Sequence, residues 1–417
     1  MKGSMWTGGQ YSLYRALLGG YLMVHFLHLL PWAAELFSTE GMISDSSFSP
    51  IINAFPNILG FYDAPWFVLS LVISAAAASL SFLVGYKDKW AAVWIWFVLA
   101  CLFGRNPLIA NPALPYLGWM LLAHLFIPSS PYGSVSAIGR ASPAGSWRMP
   151  QSVFVAAWLV MALTYTYSGY TKLLSPSWLA GDTLSLVLQN PLARDYFLRD
   201  LFLLLPDSVL GFITHGILWV EYLFLPLIIV PFFRRFMWKA MFVVQLGFLF
   251  LLNFPDLTVV MLLFHLLTYD PAWNRSKKPV SAETIFYDGE CGLCHRVVRL
   301  VLSEDRVQRF NFSTIGSEYF NAVFDQPTQQ ALPDSFILLN DKGEHSVEGP
   351  AVVQLLLKLG GLWAVLGGLL NRLPIKLVNK AYRFIGARRY RLFATPKTTC
   401  PIVWDKHERT VLMSRFC

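Results

Sequence analysis

The stretch TIFYDGECGLCHRVVRLV, Thr284–Val301, determines the fold expected for the carboxy-terminal part of this chain. Its first four residues favour a β-strand, and Asp288–Glu290 is typical of a turn. From Leu293 onward, apolar residues recur at helical spacing. We therefore expect Cys291 and Cys294 to lie where a strand ends and a helix begins.

This placement gives the two cysteines different chemistry. The free N–H groups and the positive end of a helix stabilise a thiolate. We predict that Cys291 is the nucleophile and that Cys294, one turn further along, is the resolving thiol. His295 adds positive potential nearby, whereas Asp288 either opposes the thiolate or relays a proton.

The same residues allow other interpretations. C-x-x-C is typical of a redox dithiol, but His295 extends it to C-x-x-C-H, the pattern of a c-type haem attachment site. A strand directly before the pair is unusual for a small haem domain. A zinc site needs further ligands, and Cys400 and His407 are isolated in the sequence. The redox dithiol without a metal is favoured, while haem, zinc and structural cysteines remain alternatives.

The remainder of the chain has the composition of a membrane protein. Of 417 residues, 55% are hydrophobic and 14% are charged, against about 25% charged residues in a typical soluble domain. Many basic residues lie in short loops between apolar runs, so the net charge of +8 does not indicate nucleic-acid binding. We predict a polytopic α-helical membrane bundle of about eight spans, roughly at 11–31, 65–85, 90–104, 108–128, 151–172, 209–231, 236–253 and 256–270.

The charge distribution predicts the domain boundaries and the orientation. Residues 1–273 are expected to form the membrane domain, 274–282 a linker, and 283–417 a small α/β domain. Lysine and arginine in the loops between spans favour the inner side of the membrane, and Arg275 follows the last span there. We therefore predict a multi-pass protein of the cell inner membrane with a cytoplasmic carboxy-terminal domain.

At the dithiol the chain resembles the DCC-type thiol-disulfide oxidoreductases. The resemblance rests on YDGECGLC (Tyr287–Cys294), RFNFSTIGSEYF (Arg309–Phe320), SFILLNDKGE (Ser335–Glu344) and AYRFIGARRYRLF (Ala381–Phe393), and it includes Cys400-Pro401. It covers about 280–417 and implies a thioredoxin-like fold with a dithiol/disulfide site at Cys291 and Cys294.

The last of these stretches overlaps a predicted amphipathic helix, LPIKLVNKAYRFIG (Leu373–Gly386), which we expect to pack against the rest of the domain. Its basic face would suit an anionic membrane surface. The residues assigned to that face are Lys376, Lys380, Arg383, Arg388, Arg389 and Arg391.

The predicted membrane domain contains ionisable residues, which are costly in hydrocarbon and often functional. YTYSGYTKLLSPSWLAGDTL, Tyr165–Leu184, resembles the HTTM domain shared with vitamin K-dependent γ-carboxylases, over about 5–273. The resemblance implies that Lys172 matches the base that deprotonates a hydroquinone, so a quinone is a candidate cofactor or partner. Glu221 is a candidate partner for Arg15 inside the bundle.

These observations predict a membrane-bound thiol-disulfide oxidoreductase. The Cys291 thiolate would attack the disulfide of a protein or small thiol client, and Cys294 would resolve the mixed disulfide. Coupling to quinone chemistry in the membrane domain is an extension of this prediction. The alternative is a non-enzymatic membrane maturation or transport-associated factor with a regulatory dithiol. The lipid bilayer is a further expected partner, and nucleic acid is not.

Overall fold

The computed structural model describes residues 6–109, 111–129, 132–137, 147–276 and 282–392. The chain forms two compact units. Besides Met1–Lys2, the first comprises Tyr14–Ile127 and Pro150–Tyr269, and the second comprises Gly3–Leu13, Pro128–Met149 and Asp270–Cys417. The domain boundaries drawn from the sequence, 1–273, 274–282 and 283–417, remain a prediction.

The first unit is helical. Several of its helices begin with proline, whose missing N–H would have no partner in a first turn. The helix that starts at Pro65 ends before Gly85, which has a φ of 71°, and such a left-handed residue commonly ends helices. The helices in chain order are α1 (Gly8–Leu29), which belongs to this unit from Tyr14 onward, α2 (Ala33–Phe37), α3 (Pro65–Val84), α4 (Asp88–Arg105), α5 (Leu114–Leu125), α6 (Gln151–Leu173), α7 (Pro176–Ala180), α8 (Thr183–Leu188), α9 (Phe197–Leu203), α10 (Asp207–Tyr222), α11 (Phe224–Ile229), α12 (Pro231–Leu251) and α13 (Pro255–Thr268).

Large apolar side chains are exposed along one face of α3. Trp66, Leu69, Ile73 and Leu80 all point outward, and Ile73 is 51% exposed. Their spacing of three, four and seven residues places them on one stripe of the helix. Contiguous exposed apolar surface of this kind is typical of a membrane or protein contact, which is consistent with a membrane protein.

Among the described residues, three helical segments are long and apolar enough to cross a membrane: Gly8–Phe37, Pro65–Val84 and Gln151–Leu173. The count reaches five if two helix pairs with bends of 108° and 114° are each taken as one span. The predicted number of about eight spans is not supported.

The difference has two causes: α4 and α12 are long enough but each carries three charged residues, and other apolar runs are broken or short. The predicted span 209–231 is divided between α10 and α11, and α5 and α13 have only 12 and 14 residues. At about 1.5 Å per residue, helices of that length reach well short of the roughly 30 Å of hydrocarbon in a bilayer. The apolar content of a stretch therefore does not predict the residue at which a helix ends, and a count of apolar runs overestimates the number of spans.

The second unit contains an α/β domain with a four-stranded sheet. The strands are β1 (Glu283–Tyr287), β2 (Phe310–Thr314), β3 (Ile337–Leu339) and β4 (His345–Val347), in the order β2-β1-β3-β4. β1 runs parallel to β2 and antiparallel to β3, and β3 runs antiparallel to β4. The helices are α14 (Gly292–Glu304), α15 (Glu318–Val323), α16 (Gln326–Ala331), α17 (Glu348–Leu359), α18 (Gly361–Leu370), α19 (Ile375–Gly386) and α20 (Arg389–Leu392).

Strand β1 is the centre of this domain because all five of its residues are buried. Ile285 and Tyr287 face a cluster that includes Val298 and Val301 of α14. Phe286 points to the opposite face and packs in another cluster. Apolar packing therefore fixes α14 against the sheet and sets the position of its first turn.

The far end of α14 is held by a buried carboxylate. Glu304 is 3% exposed and accepts hydrogen bonds from Gly9 N–H at 2.9 Å, from Trp363 Nε1 at 2.6 Å and from the Thr7 hydroxyl. Thr7 and Gly9 lie at the start of α1, where free N–H groups favour a negative partner. Burial raises the pKa of Glu304, although the bonds from Thr7 and Trp363 oppose that shift.

This carboxyl predicts a pH-dependent stability. Because the folded pKa is raised, folded Glu304 keeps its proton to a higher pH than the unfolded chain does. Its contribution to stability is therefore complete below the unfolded pKa, near 4.5, and declines as pH rises through the folded pKa, by at most about 1.4 kcal/mol per pH unit. We expect Glu304→Gln to flatten this decline in the melting temperature of the detergent-solubilised protein. The exposed Glu318→Gln is the control, and an unchanged slope in Glu304→Gln would contradict the assignment.

Candidate active site

The dithiol lies at the junction between β1 and α14. Asp288 opens the connecting turn, and its Oδ1 accepts the Glu290 N–H at 2.8 Å. Cys291 is the N-cap residue of α14 with extended backbone, and its Sγ accepts the Cys294 N–H at 3.3 Å. An N-cap side chain commonly accepts such a bond from the first turn, and here the acceptor is a cysteine sulfur.

The two cysteines are both free thiols, but they differ in exposure. Cys291 is fully buried, whereas Cys294 is partly exposed. A ligand atom of each cysteine and one of Asp288 lie within 4.8 Å of one another. Burial raises the pKa of the Cys294 thiol, and the neighbouring Cys291 and the charge of Asp288 raise it further.

Residues from the end of the described chain complete the site. Arg389 Nη2 donates to Asp334 Oδ1 at 2.6 Å and to Asp288 Oδ2 at 3.4 Å. The Tyr390 hydroxyl donates to the same Asp288 oxygen at 2.5 Å. Arg389 is 5% exposed, so a buried cation faces the carboxylate beside the dithiol.

His295 packs behind the turn. It is 8% exposed, its ring contacts Tyr287 edge to face, and its Nε2 lies 2.9 Å from the carbonyl oxygen of Gly289. A carbonyl oxygen only accepts, so Nε2 carries the hydrogen in this bond. The bond occupies one of the two ring nitrogens with which His295 could ligate a haem iron. The histidine therefore supports the turn of the dithiol loop.

A metal ion has three potential ligands here: Asp288, Cys291 and Cys294. Structural zinc takes four protein ligands, and this cluster of described residues supplies three. Cys400 and His407, which the sequence suggested as isolated candidates, lie outside the described residues. The Asp288 carboxylate is also already bonded to Tyr390 and Arg389, which favours the dithiol interpretation.

The ionisable residues of the first unit form separate clusters. Lys172 Nζ lies 2.5 Å from Glu221 Oε2, 2.7 Å from Ser168 Oγ and 5.0 Å from the centre of the Trp178 ring. The expected pairing of Glu221 with Arg15 is wrong. Arg15 Nη1 instead lies 4.0 Å from Asp88 Oδ2. The same oxygen lies 3.3 Å from His124 Nε2. The catalytic role of Lys172 remains a prediction.

The sequence analysis missed Asp334, Tyr390 and the role of Arg389. Arg389 was assigned to a basic face for an anionic membrane surface, but it is buried against Asp334 and the dithiol loop. Helical periodicity cannot detect this because the contact joins residues 55 and 101 positions apart. The one signal present was the basic cluster ARRYR inside the stretch that resembles the DCC-type proteins.

Comparison with known protein families gives a match for this part of the chain. Residues 285–395 match the DCC1-like thiol-disulfide oxidoreductase family, so the second unit contains a domain of this kind. The match supports thiol-disulfide oxidoreductase activity. No curated protein and no solved structure is significantly similar to the chain. The resemblance of residues 5–273 to the HTTM domain remains a prediction.

The charge of Asp288 predicts a measurable effect on Cys294. Replacing it in Asp288→Asn removes a negative charge that raises the pKa of the Cys294 thiol. We expect the rate of Cys294 alkylation by iodoacetamide at pH 8 to rise several-fold, towards about tenfold for one pKa unit. Mass spectrometry of the Cys294 peptide measures this rate, with the exposed Asp341→Asn as control. An equal rate in wild type and Asp288→Asn would contradict the electrostatic coupling.

Proposed function

We propose that this chain is a membrane-bound thiol-disulfide oxidoreductase whose reactive groups are Cys291 and Cys294. The observation that carries the proposal is the 3.3 Å contact from the Cys294 N–H to the Cys291 Sγ at the start of α14. This contact holds the two sulfurs at one helix start, where the second can attack the first after a mixed disulfide has formed. The family match over residues 285–395 supports the same activity.

We further propose that the α/β domain is thioredoxin-like. Three features support this: the parallel pair β1 and β2, the antiparallel β3 and β4 on the other side of β1, and a dithiol directly between β1 and α14. Such a junction places the first turn of a helix at the carboxyl end of the inner strand β1, the end of a strand at which ligands bind in many α/β folds.

The reaction that fits these groups has two steps. The Cys291 thiolate attacks a client disulfide, so that a mixed disulfide forms and one client sulfur leaves. The Cys294 sulfur then attacks Cys291 Sγ and releases the second client thiol, which leaves a Cys291–Cys294 disulfide. Because Cys294 has a raised pKa, it needs a base in this step, and Asp288 is the nearest carboxylate in the described site.

The complete burial of Cys291 favours one alternative. A client reaches this sulfur only when neighbouring side chains move, and α20 with Arg389 and Tyr390 packs against α14. A dithiol that opens rarely would serve as a regulatory switch without turnover, in a membrane maturation or transport-associated factor. Trapping of the reaction intermediate distinguishes the two functions.

We expect Cys294→Ser to accumulate a mixed disulfide between Cys291 and a client. The serine keeps the backbone N–H that contacts Cys291 Sγ but removes the resolving sulfur. Non-reducing electrophoresis and mass spectrometry of the purified full chain detect the adduct, in a background where Cys400 and Cys417 are replaced by serine. Cys291→Ser should trap at least about tenfold less adduct, since the proposed attacking sulfur is gone.

Cys101→Ser is the matched control because Cys101 is a buried cysteine of α4. Its adduct level should equal that of the unmodified background. If Cys294→Ser carries no adduct on Cys291 after oxidative challenge, the exchange function is wrong and the regulatory alternative is favoured.

We also propose that the α/β domain faces the cytoplasm of an inner-membrane protein. The basic loops between the apolar runs support this orientation. We expect Cys294 to be protected from a membrane-impermeant maleimide in intact cells and labelled after permeabilisation. Ser47→Cys, in the exposed segment between α2 and α3, should show the opposite result. Labelling of Cys294 in intact cells would place the dithiol outside.

A further inference from the structure

A cavity of about 310 Å³ opens beside the dithiol within the α/β domain. Its volume lies near the lower limit of about 300 Å³ for small-molecule sites. Cys294 lines it, whereas Cys291 does not. The two sulfurs therefore have different surroundings, and a molecule in the cavity meets Cys294 first.

The walls of the cavity are almost entirely apolar. Helices α14, α17, α18 and α19, strands β1 and β2 and the segment before β3 all contribute to them. The lining side chains include Val297, Val352, Leu356, Phe336 and Trp363. Burying an unpaired polar group in such surroundings is unfavourable. A polypeptide segment, with its backbone N–H and C=O groups, is therefore a poor occupant, and so is glutathione with its several charges.

One charged residue lines the cavity, and it has a free hydrogen-bond donor. Arg389 Nη1 donates to the Asp334 carbonyl oxygen, and Nη2 donates to the carboxylates of Asp334 and Asp288 and to the Tyr390 hydroxyl. The two carboxylates balance the guanidinium charge. Its buried Nε has no hydrogen-bond partner among the described residues. A buried N–H without an acceptor is costly, and a neutral carbonyl oxygen on a ligand would satisfy it.

We propose that this cavity binds a lipophilic quinone, which the dithiol reduces. This inference rests on the proposed dithiol activity. A quinone combines an apolar ring with neutral carbonyl acceptors, and it takes up two electrons and two protons. A dithiol that becomes a disulfide releases the same number of each, so the two half-reactions balance.

The geometry assigns a role to each group. The Cys294 sulfur adds to the quinone ring, and its proton passes to the ring oxygen, whose developing charge Arg389 Nε–H stabilises. The Cys291 sulfur then attacks Cys294 Sγ, so the S–S bond forms and the carbon–sulfur bond breaks. Because Cys291 reacts as a thiolate, the ring leaves with that electron pair and takes its second proton from water, which gives the hydroquinone and the Cys291–Cys294 disulfide.

The test compares two oxidants of the pre-reduced full chain in detergent. Tetramethyl-1,4-benzoquinone has no free ring position for irreversible arylation, and bis(2-hydroxyethyl) disulfide is a small oxidant with no apolar ring. Absorbance follows quinone reduction, and alkylation with mass spectrometry follows formation of the Cys291–Cys294 disulfide. The ratio of the two oxidation rates is the measured quantity.

Val352→Phe fills the cavity with a larger side chain. We expect it to lower the ratio of quinone rate to disulfide rate by at least about tenfold, the effect of a steric clash in a packed site. The matched control is Leu357→Phe, at an exposed position of the same helix, where the ratio should not change. Arg389→Lys retains the charge but lacks Nε–H, and it should raise the KM for the quinone.

The outcomes separate this inference from the proposed function. Oxidation by the disulfide but not by the quinone, or equal ratios in wild type and Val352→Phe, overturns the quinone site and leaves the exchange function intact. Failure of both oxidants to form the Cys291–Cys294 disulfide overturns both proposals.

Discussion

The hydrogen bond from the Cys294 N–H to the Cys291 Sγ is the contact on which the candidate site depends. It exists because Cys291 caps α14 and Cys294 occupies its first turn. The buried strand β1 and the apolar contacts of Val298 and Val301 with the sheet hold this first turn in place. The same contacts that build the domain therefore bring both sulfurs to one helix start, where the proposed exchange reaction needs them.

A second layer of the site comes from distant parts of the chain. Asp288 lies in the turn before the dithiol, and it is bonded to Arg389 and Tyr390 more than 100 residues later. These contacts place a cation and a phenol next to the carboxylate that influences Cys294. The last described helix therefore influences the electrostatics of the Cys294 thiol and contributes Arg389 to the lining of the apolar cavity.

The local parts of this arrangement were predictable from sequence, and the tertiary parts were not. The strand, turn and helix around Cys291 follow from short-range patterns, because a single stretch contains all the residues involved. The number of spans does not follow from such patterns, because apolar content does not show that α10 ends at Tyr222 or that α5 has 12 residues. Likewise, periodicity assigned Arg389 to a surface, and no local pattern indicated that Lys172 would pair with Glu221.

An equilibrium redox titration of the purified full chain tests the central claim most directly. The protein is equilibrated in buffers of graded reduced and oxidised dithiothreitol, and the fraction of Cys291–Cys294 disulfide is read by alkylation and mass spectrometry. We predict a single reversible transition of two electrons in which both thiols disappear together. Thiols that remain alkylatable across the whole range, or that are lost one at a time to separate partners, would contradict the assignment of these two cysteines as a redox-active pair.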